Sequence, residues 1–263
     1  MMFRSLWVLI VLVFAAEAAA YDRVVLLAPA AGDLFQRLGQ AHKVVGVTRS
    51  NEDFPDALRL GSHIKPNLEL IKSLDPDLIV VASERFFSAE MARLVGADVF
   101  WYQPVTLDGV LTELARLGTA LDCRRRANAV AAELQQLRQQ IKPVSARPRV
   151  VYEVTEMPLT VAGKGNIAAD IVAAAGGQLV TPSSRKLVKF SIEGVLMSQP
   201  DYYLYQQGPM NPSPTPPLRR SHYRHLNATA LKVDQLRFSR ANGHSFSVAL
   251  DLNQVFLHQG DNL

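Results

Sequence analysis

Cysteine is almost missing from this chain: Cys123 is the single one among 263 residues. That excludes an internal disulfide framework and any cysteine-rich zinc or iron–sulfur centre. A strong charge of one sign is missing too. The 28 Lys and Arg face 24 Asp and Glu, a net +4. The basic triplet Arg124-Arg125-Arg126 falls in a helical stretch and reads as a solvated face, so nothing points to nucleic acid. After residue 16 there is no apolar run long enough to span a bilayer. Catalytic signatures are also lacking: no G-x-S-x-G elbow, no H-E-x-x-H, no P-loop, and no G-x-G-x-x-G after the first strand. Gly163-Lys164-Gly165-Asn166 lacks the upstream glycine and the Ser/Thr of a phosphate loop, and reads as a loop ahead of a helix. His222 and His225 stand three apart without a nearby carboxylate or cysteine, which predicts no protein-held metal.

What is present begins with an export signal. Arg4 precedes the apolar run Leu6–Ala16, and Ala18-Ala19-Ala20 offers a cleavage site before Tyr21. Residues 1–20 are therefore expected to be removed, leaving an exported, periplasmic chain. An uncleaved membrane anchor is the alternative.

Along the mature chain, short Val/Ile/Leu-rich runs alternate with helical patterns. Strands are predicted at 24–28, 43–48, 77–82 and 98–102, with helices at 32–40, 67–74 and 88–95. Such alternation implies a parallel sheet covered on both faces. From Leu107 to Ile141 the pattern is purely helical; Gly118 marks a possible break, and residues 122–141 alone predict a helix roughly 30 Å long. The alternation then resumes, with strands at 149–155 and 201–206, helices at 167–175 and 192–198, and a proline-rich loop at 209–217. A short strand near Arg237-Phe238 and a helix over 247–258 close the chain.

The halves echo each other. Leu68-Glu69 and Ile192-Glu193 each open an apolar helix, followed after the same gap by Pro-Asp and a buried strand. The expected architecture is α/β: an N-terminal lobe at 21–105, a linking helical segment at 106–142 and a C-terminal lobe at 149–263. A ligand cleft lies between the lobes.

The export signal, the KPNLELIKSLDPDLIVV segment, the mid-chain helix, AGKGNIAADIVAAAGG at 162–177 and FSIEGVLMSQPDYYLY at 190–205 together resemble the periplasmic substrate-binding proteins of ABC importers for vitamin B12, iron–siderophores and haem. The resemblance covers about residues 21–245. It implies two Rossmann-like lobes joined by a single long α-helix that resists a large hinge motion. It implies a monomer without catalysis or intrinsic cofactor, which captures a ferric siderophore or cobalamin and delivers it to an inner-membrane permease with cytoplasmic ATPase. An accessory metal chaperone or sensor on the same scaffold is the alternative, and an exported α/β enzyme a more distant one.

The resemblance assigns permease docking to Glu69 and Glu193. For the ligand it points to Phe54 as a cleft aromatic. His63 and Ala82 stand where cobalamin binders carry tryptophan, and Leu187 stands near another such position. Ser62 of the Gly61-Ser62 pair replaces the axial tyrosine of haem-binding relatives, leaving His63 as the neighbour suited to a metal. Arg49, Arg85, Lys186 and Lys189 fall near the expected rim and would suit an anionic chelate. Phe86, Phe87 and Tyr205 are lining candidates for which core packing is the competing reading.

Overall fold

The computed structural model describes residues 21–49 and 51–260. Residues 1–20, the expected export signal, lie outside the described residues.

The N-terminal lobe is a five-stranded sheet built from β1 (Val24–Leu26), β2 (Val44–Val47), β3 (Leu58–Arg59), β6 (Leu78–Val81) and β7 (Asp98–Trp101). Its strand order is β3-β2-β1-β6-β7 and every pairing is parallel. A ribbon of β4 (Gly61–Ser62) and β5 (Lys65–Pro66) projects beside it. Helices α1 (Gly32–Arg37), α2 (Leu68–Ser73) and α3 (Ala89–Val95) cover the sheet. β1 and β6 are buried along their whole length. That is why their sequences are continuously apolar rather than alternating.

The C-terminal lobe holds β8 (Arg149–Thr155), β9 (Thr160–Ala162), β10 (Gln178–Leu179), β11 (Leu187–Lys189), β12 (Tyr202–Gln207) and β13 (Thr229–Asp234). Its order is β11-β9-β8-β12-β13, with β10 also paired to β8. β10, β12 and β13 run parallel to β8, and β9 alone is reversed, pairing antiparallel with both β8 and β11. The second sheet is therefore mixed rather than purely parallel. The predicted strand at Arg237-Phe238 is also corrected: the strand is β13, and Asp234 ends it by accepting the Arg237 amide at 2.8 Å. This capping starts the short helix α8 (Gln235–Phe238).

Between the lobes lie α4 (Leu107–Ala120) and α5 (Arg124–Gln139); α6 (Ile167–Ala174), α7 (Ile192–Met197) and α9 (His244–Gly260) belong to the second lobe. The linking segment breaks at Leu121–Cys123, where Asp122 adopts φ 50, and not at Gly118. Gly118 sits inside α4, where a β-carbon would overlap that of Ala127 on α5. The glycine thus lets the two helices approach closely. They run antiparallel, since Arg138 near the end of α5 pairs with Asp108 at the start of α4 at 2.5 Å. α5 makes the crossing. At its start Arg126 Nε donates to the Arg37 carbonyl in the first lobe at 2.8 Å. Just beyond its end Lys142 exchanges hydrogen bonds with Asn253 on α9.

One buried cluster runs through both lobes, taking in Val24, Leu26 and Val80, then Leu114, Val130 and Leu134, then Val150, Tyr152 and Phe246. Opening the lobes widely would break up this shared core.

The internal echo extends to single hydrogen bonds. Arg23 forks onto the Leu74 and Asp75 carbonyls, and Arg149 onto those of Ser198 and Gln199. Asp77 accepts the Arg23 amide as Asp201 accepts that of Arg149. Asp75 and Gln199, at matched positions, share a left-handed backbone with φ 47 and 43. Two lobes built by one device support descent from one repeated unit.

Candidate functional site

In both sheets the parallel strands end facing the other lobe. Beyond β7, the Tyr102 hydroxyl donates to the Ala241 carbonyl of the second lobe at 2.6 Å. Beyond β1, Asp33 accepts the Gly243 amide at 2.8 Å. The cleft is thus bounded by the carboxyl ends of the strands, where open α/β sheets place their ligands.

Its N-terminal wall comes from two loops. The turn of the β4–β5 ribbon carries His63, and the Arg49 amide pins the ribbon by donating to the Gly61 carbonyl at 2.7 Å. The loop after β6 carries Arg85 and Phe86. The His63 ring stands edge-on to Phe86, with centroids 6.1 Å apart and planes at 89°. The Arg85 guanidinium lies 5.5 Å from the Phe86 centroid.

The C-terminal wall is the 183–189 segment. Its seat is the Gly163–Asn166 loop, whose amides at Gly163, Lys164 and Gly165 donate to the Lys186, Ser183 and Arg185 carbonyls. A β-carbon at Gly163 would overlap the Arg185 carbonyl oxygen. The glycines are there for close backbone approach, which accounts for the phosphate-loop look of this stretch. The seated segment carries Lys186, whose charge reaches His63. Partial burial, and then the Lys186 charge, hold the His63 imidazole below its ordinary pKa. Both effects favour the neutral imidazole, which can accept a hydrogen bond.

Arg49, Arg85, Lys186 and Lys189 are all exposed. Apolar side chains stand beside them: Ile64 next to His63 is 55% exposed and Leu187 next to Lys186 is 38% exposed. The rim therefore offers cationic groups, one flat aromatic and two aliphatic surfaces, which fits an amphiphilic ligand with acidic arms.

Three other expected lining residues are buried. Phe54 is 5% exposed and packs in the shared core against Gly32; it also lines a cavity of about 380 Å³ with Gln36, His42 and Asp56. Tyr205 is 8% exposed and belongs to an apolar cluster with Val151, Val161 and Tyr203. Phe87 is likewise buried. All three are core. Ala82 is exposed and holds Gln103 through its carbonyl at 3.0 Å.

Glu69 and Glu193 occupy the second turn-position of α2 and α7, behind the caps Asn67 and Ser191. Both are exposed. Neither carboxylate has an ion pair or hydrogen bond among the described residues.

Two features escaped the sequence. Glu153, fully buried in β8, receives a two-pronged contact from Arg220: Nη1 to Oε2 at 2.5 Å and Nη2 to Oε1 at 2.9 Å. The Tyr203 hydroxyl adds a bond at 2.6 Å. Arg220 also holds the Thr215 carbonyl, which fixes the proline-rich loop against the lobe. The available signal was a glutamate inside the apolar strand RVVYEVT. The second is Arg240, in the segment that bridges to the first lobe; no sequence pattern marks it. Among the described residues no group of three or more His, Cys, Asp or Glu could hold a metal ion. No helix among them is long and apolar enough to cross a membrane.

Comparison with known proteins places this geometry. A family profile described as periplasmic binding protein matches residues 24–212. A vitamin B12-binding protein of Vibrio cholerae serotype O1 is 28% identical over 190 residues, 68% of each chain. A periplasmic heme-binding protein from Roseiflexus sp. RS-1, in apo form, superposes with TM-score 0.72 at 22% identity, covering 90% of this chain and 98% of its own. A heme-complexed protein of S. aureus gives TM-score 0.74 at 18% identity, covering 89% and 98%.

Proposed function

The chain belongs to the periplasmic binding protein family, and on that premise we propose that it captures a metal chelate or corrinoid between its lobes and delivers it to an inner-membrane ABC importer. The mature chain acts in the periplasm after loss of about residues 1–20. It carries out no chemistry on its ligand. Relatives named for vitamin B12 and structural neighbours named for heme support a large, metal-centred ring as ligand. The cationic rim favours acidic arms on it, so a ferric siderophore belongs to the same class.

The observation that carries delivery is the matched pair Glu69 and Glu193. Each is exposed at the same position of an equivalent helix in its own lobe, and each leaves its carboxylate free. A carboxylate near a helix N-terminus is favoured by the helix dipole, which alone would not require two matched copies. Two separated carboxylates meeting two arginines through charge-assisted bonds fix the orientation of both lobes on a permease.

The test is uptake of labelled ligand by cells carrying Glu69→Arg and Glu193→Arg. Each single reversal should reduce uptake, and the double should abolish it while binding by the purified protein persists. Unchanged uptake in the double variant rules out docking through these residues.

A further inference from the structure

We propose that Arg240 anchors an oxyanion, a carboxylate or phosphate arm of the bound ligand, at the floor of the cleft. This rests on the capture reading above and adds the chemistry of one end of the ligand.

The segment 239–244 crosses from the second lobe to the first. It is held there by Tyr102 on the Ala241 carbonyl at 2.6 Å and by the Gly243 amide on Asp33 at 2.8 Å. His244 Nε2 lies 3.2 Å from the other Asp33 oxygen. Arg240 is thereby carried between the lobes, beside Asp53 of the first lobe and Asp234 at the end of β13.

Its side chain is only 17% exposed, and the nearest carboxylate, Asp53, is 3.9 Å from Nη1, beyond hydrogen-bond reach. The guanidinium makes no hydrogen bond among the described residues, although it carries five N–H donors. Arg220 shows what a structural arginine does in this fold: its side chain is 3% exposed and its fork is filled by Glu153 and Thr215. Burial pushes the Arg240 guanidinium down from the usual arginine range, against Asp53, Asp234 and Glu52, which pull the other way. A second unused donor lies close by. Asn51 is fully buried and its Nδ2 has no partner. That atom and Asp53 Oδ2 each lie 3.3 Å from the point a Gly32 β-carbon would occupy. A desolvated cation whose nearest acid stands out of reach is accounted for when its acceptor arrives with the ligand.

The test uses Arg240→Met in the mature chain, which removes the charge and keeps most of the stem. Without ligand, its melting temperature should match or exceed the wild type; a fall of more than about 5 °C would make Arg240 structural and overturn the proposal. Inorganic phosphate should raise the melting temperature of the wild type and not that of Arg240→Met; equal shifts would also overturn it. Iron(III) protoporphyrin IX, with free propionates, should bind the variant about 10- to 100-fold more weakly, and its uncharged dimethyl ester should bind both forms alike. Equal loss for acid and ester, or no loss for either, counts against the anchor. If the wild type binds neither porphyrin, the choice of ring fails, while the melting and phosphate results still decide Arg240.

Discussion

Replacing Glu153 by Gln should damage this protein more than any exposed charge change. The carboxylate is fully buried and the Arg220 side chain is 3% exposed. Two guanidinium bonds and the Tyr203 hydroxyl converge on it. The glutamine keeps the shape and removes the charge, which leaves the buried guanidinium only Glu156, 3.5 Å from its Nε, as a counter-ion. Breaking one partner of such a pair costs about 3–5 kcal/mol. At roughly 2–4 °C per kcal/mol for a chain of this size, the melting temperature falls by about 6–20 °C. Burial pulls the Arg220 guanidinium down, but the bonds and charge of Glu153 more than restore it. Burial and Glu153 push the Tyr203 hydroxyl far above its usual range. The assay is calorimetric or circular-dichroism melting of wild type, Glu153→Gln, Arg220→Met and the double variant. The double should recover much of the loss, because removing both charges removes the desolvation cost as well. A single-variant loss below about 1 kcal/mol would refute the reasoning, since that is the behaviour of an exposed pair.

Two further outcomes concern the cleft. His63 should titrate below the ordinary histidine range, and Lys186→Gln should bring it part of the way back. The depressed value means the folded state holds fewer protons, so this contribution to stability is present above the unfolded value and is lost as pH falls below it. Histidine NMR titration of both forms reads the shift directly, and an unmoved His63 in Lys186→Gln would remove Lys186 from its surroundings. Gly163→Ala should destabilise the protein by about 1–3 kcal/mol, because the new methyl meets the Arg185 carbonyl; denaturant melting measures it, and a neutral result would contradict the close seating of the loop that carries Lys186.

Much of the fold is legible in the sequence because it depends on local pattern. The buried strands are continuous apolar runs, and Asn67, Thr106, Asn166 and Ser191 cap helices through their own side chains. The Glu69/Glu193 echo is also local, and the matched Arg23/Arg149 forks show the same repeat in three dimensions. What the sequence hides depends on distance. An aromatic in an α/β lobe reads the same whether it lines a cleft or fills a core, so Phe54 and Tyr205 could not be told from Phe86. The break at Asp122 depends on a left-handed backbone that no glycine announces, while Gly118, which looks like a break, serves close packing. Arg220 meets Glu153 across 67 positions, and Arg240 gains its meaning only from the lobe opposite.

The most direct measurement of the central claim is a pair of binding isotherms for the mature chain, with cyanocobalamin and with iron(III) protoporphyrin IX, repeated in Lys186→Glu. The account predicts tight one-to-one binding of at least one ring, weakened by the charge reversal at the rim. Absence of binding to both, or binding indifferent to Lys186→Glu, would contradict capture of such a ring in this cleft.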